Sequence, residues 1–260
     1  MTLAQKRSQL ENLLGQMESL LVAYSGGVDS ALVAYVASRI LSDRMLAITA
    51  QSASMAELEL TRAVEFAKTH RIPHRVIKTD ELEDPRYAAN PTNRCFFCKD
   101  ELYNKLGTLK QELNFAWLAD GSHAEDVAGD RPGMRAASNH GVRSPLREAG
   151  FGKADVRALA KELALEIWDK PASPCLSSRV PHGIAITPEK LQRIDRAEEV
   201  LRSLGFRVVR VRHHDELARI EVGRDELPRF LDVKLFERVV SEFRRIGYRH
   251  VTLDMQGYHG

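Results

Sequence analysis

Short apolar runs alternate with amphipathic stretches from the start of the chain to about residue 170. Strands are predicted at 20–24, 45–50, 74–78 and 115–119, and helices at 31–40, from 54 onward, near 102–113 and near 156–163. Ser54 with Glu57 forms a capping box that predicts where the second of these helices begins. Strands that alternate with helices are typical of a parallel sheet covered on both faces. The pattern therefore predicts an α/β domain.

The pattern changes at a proline-rich stretch that contains Pro171, Pro174 and Pro181. Thr187 followed by Pro188 predicts a helix start. Two strands (206–214 and 217–222), a helix (227–246) and a strand (248–255) are predicted after it. We therefore predict an α/β domain over residues 1–180 and a small α+β domain over 181–260. A module of that size is small for independent stability, so we expect it to lean on the first domain or on a second subunit.

Composition places the chain among ordinary globular proteins. Its 260 residues are 43% hydrophobic and 28% charged, which excludes disordered, collagen-like and coiled-coil classes. Thirty-eight basic against 36 acidic residues leave a net charge of +2, which argues against a protein that coats nucleic acid or membrane by bulk charge. The uncharged runs are shorter than the ~20 residues that a membrane helix needs. The charged start, MTLAQKR, lacks the apolar core of a secretion signal, so we expect a cytoplasmic protein.

Residues 25–30, with the sequence SGGVDS, lie between the first predicted strand and its helix. We call them the phosphate loop. Paired glycines allow positive φ and inward-facing N–H groups, and the helix start adds partial positive charge. The GxxxxGK[ST] and GxGxxG patterns are absent here, which disfavours a P-loop kinase or a dinucleotide fold. The simpler alternative is a strand-to-helix turn that merely needs glycine.

Cys95, Cys98 and Cys175 are the cysteines of the sequence. An odd, sparse set does not build a disulfide framework. The C-x₂-C pair alone is compatible with half of a structural zinc site, a redox pair or two core cysteines. A structural zinc site needs a fourth ligand, which His123 or His182 could supply. Three thiolates would leave one iron of a [4Fe-4S] cluster open, as sulfur delivery needs.

Arginines on the predicted strand 206–214 are candidates for binding an anion. Alternation places Arg210 and Arg212 on one face, where two guanidinium groups suit a phosphate and a carboxylate. Arg179 and Ser178 follow Cys175 and are expected near the same pocket. The alternative is that the arginines only solubilise the surface. Glu198, Glu199 and Glu221 are expected either to bind a metal or to balance the charge of the arginines. His213 is expected to have a structural role.

The phosphate loop resembles the signature of the PP-loop ATP pyrophosphatases, which cleave ATP between its α and β phosphates. The resemblance implies that ATP and Mg²⁺ are used, that the loop holds the departing pyrophosphate and that Asp29 acts partly through Mg²⁺. Adenine is expected at the carboxyl ends of the strands. The implied nucleotide-binding residues are Ala23, Ser25, Gly26, Gly27, Asp29, Ser30, Ala50, Gln51, Gly121 and Arg131.

Four further segments, NRCFFCK, DGSHAEDVAGDRPGMRAA, SPLREAGFGKADVRALAKEL and WDKPASPCLSSRVPHG, extend the resemblance over nearly the whole chain to the LarE-type sulfur transferases. That family converts carboxylates of pyridinium-3,5-biscarboxylic acid mononucleotide to thiocarboxylates, which makes the nickel-pincer cofactor of lactate racemase. The resemblance implies a small anionic nucleotide substrate, a sulfide donor and a homo-oligomer such as a hexamer.

Two sources of the sulfur remain open. One branch of the family sacrifices the cysteine that matches Cys175, whereas the additional Cys95 and Cys98 favour a [4Fe-4S] cluster held by all three cysteines. A tRNA base is an alternative acceptor, which the near-neutral charge and the lack of an added RNA-binding module disfavour. A zinc-stabilised nucleotide-binding regulator is the non-enzymatic alternative.

Overall fold

A computed structural model of the chain describes residues 1–127 and 132–258. The described helices are α1 (Leu3–Gly15), α2 (Val28–Leu41), α3 (Glu57–Thr69), α4 (Pro85–Ala88), α5 (Arg94–Glu112), α6 (Pro132–Asn139), α7 (Pro145–Glu148), α8 (Lys153–Glu162), α9 (Pro188–Ser203) and α10 (Val233–Ile246). The strands are β1 (Leu20–Ala23), β2 (Met45–Gln51), β3 (His74–Lys78), β4 (Trp117–Ala119), β5 (Val209–His214), β6 (Leu217–Val222) and β7 (His250–Leu253). Within these residues no helix is both long and apolar enough to cross a membrane.

The chain divides into two compact units. The first contains Met1–Ser52, Glu57–Glu81 and Asn93–Ser173, and the second contains Ala53–Ala56, Leu82–Thr92 and the chain from Pro174 onward. Most of the second unit is therefore the chain from Pro174 onward, and two earlier segments join it. Leu176 donates its N–H to the carbonyl of Ser54, and Ile186 donates to that of Ala88. These hydrogen bonds join segments far apart in sequence, so a boundary read along the chain does not find them.

The first unit is a parallel sheet in the order β3-β2-β1-β4, with helices packed on both faces. Every residue of β1 is buried. Leu20 and Val22 join one apolar cluster, while Leu21 and Ala23 join another, as alternation along a central strand requires. The predicted α/β fold is confirmed.

The second of the predicted helices begins later than its sequence suggests. Helix α3 begins at Glu57, and Ser54 lies in the turn before it. Ser54 is buried, its carbonyl accepts the N–H of Leu176, and it belongs to the second unit.

The second unit contains α9, β5, β6, α10 and β7, the predicted α-β-β-α-β order. β5 and β6 pair antiparallel, and β6 and β7 pair parallel. Val211, Ile220 and Phe243 are central to its apolar core. Gly247, with φ of 110°, ends α10 in the left-handed conformation that favours glycine. The prediction of a small α+β module is confirmed.

Candidate functional site

The phosphate loop connects β1 to α2 at the carboxyl edge of the parallel sheet. The Ser30 hydroxyl accepts the N–H of Ser25 at 3.2 Å and donates to the carbonyl of Gly27 at 3.2 Å. The Ser25 and Ser30 hydroxyls lie 3.1 Å apart, and the Ser25 hydroxyl also accepts the N–H of Gly27 at 3.4 Å. These hydrogen bonds close the loop on itself.

Two glycines of the site lie where a side chain has no space. A Cβ on Gly26, which has φ of 72°, would come within 2.8 Å of the Ala63 Cβ. A Cβ on Gly121 would come within 2.5 Å of the Ser30 backbone nitrogen. Gly121 follows β4 and is thereby packed onto the first turn of α2. Both glycines are needed because neighbouring elements approach closely, which is a stronger requirement than that of a simple turn.

Asp29 lies in the first turn of α2 and is partly buried. Burial raises the pKa of its carboxyl above the ordinary value, the neighbouring His123 lowers this pKa, and the Asp126 carboxylate raises it. His123 and Asp126 lie after β4, and the His123 Nδ1 is 3.6 Å from the Asp126 Oδ2. The carboxylates of Asp29 and Asp126 repel each other when both are ionised. A divalent cation bound between them would relieve this repulsion, so the pair is suited to hold one.

The predicted adenine positions lie at strand ends. Ala23 ends β1, and Ala50 and Gln51 end β2, with Ala50 partly buried and Gln51 exposed. The Thr49 hydroxyl donates to the Tyr24 carbonyl at 2.9 Å and links the two strands just before the edge. Arg131, the remaining predicted nucleotide-binding residue, lies outside the described residues.

Lys170, which the sequence did not single out, also reaches the phosphate loop. Its Nζ donates to the Gly26 carbonyl at 2.8 Å and lies 2.7 Å from the Glu59 Oε2. No local motif marks it, since Lys170 and Gly26 are separated by 144 positions.

Cys95 and Cys98 lie in the first turns of α5, because the helix begins at Arg94 and not after the pair as the sequence suggested. A spacing of three residues on a helix places both side chains on one face. Cys95 is exposed and Cys98 is partly buried, and neither forms a disulfide. The two can therefore be reached together from solvent.

Cys175 is exposed, forms no disulfide and precedes a short 3₁₀ turn over Leu176–Arg179. We call residues 174–179 the cysteine loop. Arg179 donates from Nη1 to the carbonyls of Pro174 at 2.6 Å and Cys175 at 3.0 Å, and to the Ser178 hydroxyl at 2.9 Å. The buried Tyr87 and Ser177 hydroxyls lie 2.7 Å apart. The loop's backbone is thus held from within the second unit while the thiol remains accessible.

Two of the arginines predicted to bind an anion, Arg179 and Arg212, are engaged with acidic partners. Arg179 is fully buried against Glu198, and Arg212 makes two hydrogen bonds of 2.9 Å to Glu221. Arg212 also donates to the Ser178 carbonyl at 3.1 Å. Arg210 is only 6% exposed and its guanidinium lies 4.9 Å from the Tyr258 ring centre. Of the two roles foreseen for the glutamates, balancing the arginines is the one that these contacts display.

The predicted cysteine cluster would take two of its ligands from the first unit and one from the second. Nowhere in residues 1–127 and 132–258 are three or more His, Cys, Asp or Glu side chains grouped so as to hold a metal ion. The three-cysteine cluster therefore stays a prediction.

A parallel sheet whose first strand leads through a self-bonded Ser-Gly-Gly loop into a buried helix defines a nucleotide-binding domain of the PP-loop ATP pyrophosphatase class. Residues 7–89 match the NAD synthase family. An uncharacterized protein of Synechocystis, slr1717, is 47% identical over 96% of this chain and 95% of its own length. The pyridinium-3,5-bisthiocarboxylic acid mononucleotide synthase of Lactiplantibacillus plantarum is 37% identical over 99% of this chain and 93% of its own.

A third relative, the uncharacterized protein MJ0830 of Methanocaldococcus jannaschii, is 31% identical over 99% of both chains. The likeness covers both compact units and is not limited to the phosphate loop. The chain belongs to the LarE-type family of ATP-using sulfur transferases.

Proposed function

We propose that this chain adenylates a carboxylate of pyridinium-3,5-biscarboxylic acid mononucleotide and converts it to a thiocarboxylate during synthesis of the nickel-pincer cofactor. The observation that carries the proposal is the likeness, over 99% of the chain, to a synthase named for the bisthiocarboxylic product. The phosphate loop supplies a matching site for ATP. We further propose that the protein works in the cytoplasm as a homo-oligomer.

Two steps account for the chemistry. A carboxylate oxygen of the substrate attacks the α phosphorus of ATP, and pyrophosphate leaves with the electron pair of the broken P–O bond. A sulfur nucleophile then attacks the acyl carbon, and AMP leaves with the former carboxylate oxygen. Adenylation is needed because a carboxylate oxygen is a poor leaving group, whereas AMP is a good one.

The phosphate loop and Asp29 are assigned to the first step. The N–H groups of the loop and the start of α2 would face the β and γ phosphates, and Asp29 would hold Mg²⁺ between the polyphosphate and the protein. Ala23, Ala50 and Gln51 are assigned to binding of the adenosine. Gly121 is assigned to the binding site of the phosphates. Proton release is not required in this step because the attacking carboxylate is already ionised.

Ser178, Arg179, Arg210 and Arg212 are the proposed substrate-binding residues of the second unit. Arg212 is the strongest of them, since its guanidinium is partly exposed and its pKa is raised by the hydrogen bonds to Glu221, which keeps the side chain charged. An incoming phosphate or carboxylate would compete with Glu221 for this fork. Arg179 acts on the substrate site through the cysteine loop that it holds.

The source of the sulfur has two candidates. We propose a [4Fe-4S] cluster bound by Cys95, Cys98 and Cys175 and reloaded by an external sulfide donor. When bound, such a cluster would supply sulfide at an open iron. The proposal rests on the sequence resemblance and on three cysteines that form no disulfide. The second candidate is Cys175 as a sacrificial donor, and its exposed thiol favours it.

A turnover assay tests the substrate assignment. The purified protein is incubated anaerobically with MgATP, sulfide and the dicarboxylate mononucleotide, and the products are separated by mass spectrometry. We expect AMP, pyrophosphate and a product in which sulfur has replaced oxygen. ATP cleavage that requires tRNA, or no AMP with any acceptor, would overturn the assignment.

Metal analysis decides between the sulfur sources. The protein is purified under nitrogen and assayed for iron, acid-labile sulfide and zinc. The mass of the same protein is then measured by mass spectrometry after turnover. Iron and sulfide that are lost together in Cys95→Ala, Cys98→Ala and Cys175→Ala support the cluster. Zinc without iron argues against the cluster, and loss of the mass of H₂S at Cys175 after turnover identifies the sacrificial donor.

A further inference from the structure

Lys170 contacts the phosphate loop, and neither the loop sequence nor the proposed chemistry assigns it a role. Its ammonium contacts a loop carbonyl, that of Gly26, at 2.8 Å and the Glu59 carboxylate at 2.7 Å. The Lys170 side chain is 13% exposed and that of Glu59 is 14% exposed. A buried ammonium next to a phosphate site is costly unless it interacts with negative charge.

The turn that carries Lys170 is itself held in place. Arg157 of α8 donates from Nη1 to the Trp168 carbonyl at 2.8 Å and from Nη2 to the Lys170 carbonyl at 2.7 Å. Lys161 of the same helix lies 4.6 Å from the Trp168 ring centre. These contacts all lie within the first unit. The position of the ammonium is therefore built by the fold and is not one of many positions of a mobile surface lysine.

The chemistry of the loop explains what a lysine adds there. The sequence SGGVDS contains no cation, whereas nucleotide loops of the GxxxxGK[ST] type carry a lysine that reaches the β and γ phosphates. An ammonium has three N–H donors, and among the described residues Gly26 and Glu59 account for two. A third N–H is thus available beside the loop, on an ammonium whose charge is paired with Glu59.

We propose that Lys170 is part of the pyrophosphate site, where it fixes the Gly26 carbonyl and supplies the positive charge that the loop sequence lacks. Its ligand is the polyphosphate portion of ATP and the free pyrophosphate that leaves. The inference rests on the proposed adenylation at this loop and adds a specificity for the β and γ phosphates. AMP, which lacks both, is the ligand that Lys170 does not affect.

Binding of three probes to the full chain tests this role. Mg-pyrophosphate, MgATP and AMP are titrated into the wild type, Lys170→Gln and Lys170→Arg by calorimetry. The glutamine variant retains a donor for the Gly26 carbonyl but loses the charge. We expect its affinity for pyrophosphate and MgATP to fall at least about tenfold, the size of a charge-assisted hydrogen bond. The arginine variant should recover most of that loss, and AMP affinity should not change.

Lys110 provides a matched control. It is also a partly buried lysine of the first unit, and its Nζ donates to a backbone carbonyl, that of Ala116, at 3.2 Å. It lies near the end of α5, which leads to the start of β4, whereas the phosphate loop follows the end of the parallel strand β1. Lys110→Gln should bind all three probes as the wild type does.

The outcomes separate the inference from the proposed function. If the wild type binds pyrophosphate and Lys170→Gln binds it equally well, the inference is wrong while the proposed function stands. Equal losses for pyrophosphate and AMP would reduce Lys170 to a structural role and also overturn it. If the wild type binds neither MgATP nor pyrophosphate, the proposed use of ATP fails and the inference fails with it.

Glu59→Gln gives a second test that leaves Lys170 in place. Glu59 neutralises Lys170, and Arg62 lies 3.6 Å from the same carboxylate. Removing the negative charge should strengthen pyrophosphate binding, and added salt should reduce the gain. Weaker pyrophosphate binding in Glu59→Gln would contradict the proposal, because it would mean that the ion pair matters only to the shape of the loop.

Discussion

Arg179 and Glu198 form a two-point ion pair in which the side chains are 1% and 0% exposed. The Arg179 Nε lies 2.8 Å from one carboxylate oxygen of Glu198, and Nη2 lies 3.0 Å from the other. Arg179 lowers the pKa of Glu198 against the opposing effect of burial, which is the largest influence on it. The remaining nitrogen of Arg179, Nη1, holds the cysteine loop, so the pair connects helix α9 to the backbone around Cys175.

Glu198→Ala should lower the free energy of unfolding by about 3–5 kcal/mol, because it leaves a buried guanidinium without its carboxylate. Urea denaturation measures the change. Glu199→Ala is the control, since Glu199 is the exposed neighbour on the same helix and should change stability by at most about 0.5 kcal/mol. A loss in Glu198→Ala no larger than that of the control would contradict the buried pair.

Gly121→Ala should strongly impair the phosphate loop. The added methyl would meet the Ser30 backbone nitrogen at 2.5 Å, and backbone atoms in the first turn of a buried helix have no room to move. We expect a lower melting temperature and a loss of MgATP binding. Gly107→Ala is the opposite case, because nothing lies within 4 Å of its Cβ position inside α5. It should raise stability by about 1 kcal/mol, as alanine does in a helix.

Calorimetric melts of both glycine variants, with and without MgATP, provide the measurement. If MgATP raises the melting temperature of Gly121→Ala as much as that of the wild type, the close approach of Gly121 to α2 is not needed for nucleotide binding.

Asp29→Asn should stabilise the ligand-free protein at pH 8 while removing its Mg²⁺-dependent activity. Burial raises the pKa of Asp29, so the folded state favours the neutral carboxyl, and at a pH above both pKa values the ionised group opposes folding. An amide has no such cost but cannot replace the carboxylate as a metal ligand. A higher melting temperature together with loss of AMP formation is expected. A lower melting temperature would show that the ionised carboxylate makes a favourable interaction in the fold.

The second unit should lose stability as the pH falls from about 6.5 to about 4. His213 is 2% exposed, and its Nδ1 lies 3.1 Å from the Tyr248 hydroxyl. Burial, with Arg193 and Lys190 nearby, lowers its pKa from 6.5 to about 4. Between these values the unfolded chain binds a proton that the folded chain does not, so stability decreases as pH falls. The loss approaches about 3 kcal/mol at the lower end.

His213→Asn should flatten this part of the pH dependence. Urea denaturation at pH 7 and pH 5 is compared for the wild type, His213→Asn and His214→Asn, where His214 is the exposed neighbour on β5. The His214 variant should keep the wild-type difference between the two pH values. If His213→Asn keeps it too, another group carries the acid sensitivity.

Local patterns predicted most of the elements and missed those with weak patterns. Helix α1 was not predicted, because only its residues Leu10 and Leu14 are buried, although Thr2 and Gln5 form a capping box. The small α+β module was predicted correctly, since α9 buries Leu191, Ile194 and Leu201 on one face and Gly247 ends α10. The cysteine pair was placed just before a helix that in fact contains it, because a C-x₂-C spacing is compatible with both a turn and a helix.

At the candidate site, local sequence patterns did not predict which arginines are buried. Alternation placed Arg210 and Arg212 together on one face of a strand, but it does not tell a solvent-facing surface from a polar interior. Arg210 is 6% exposed, and Arg212 faces the carboxylate of Glu221 on the paired strand β6. The burial of Arg179 likewise depends on a glutamate in another helix.

The sequence by itself determined the order of strands and helices, the phosphate loop and the family, because hydrophobic period, turn chemistry and motif spacing are properties of neighbouring residues. Only the tertiary structure decided that Lys170 reaches Gly26, that Gly121 packs on Ser30 and that segments 53–56 and 82–92 belong with the second unit. The physical reason is that these contacts join residues distant along the chain. Whether such residues meet depends on how sheets and helices pack, which no local pattern records.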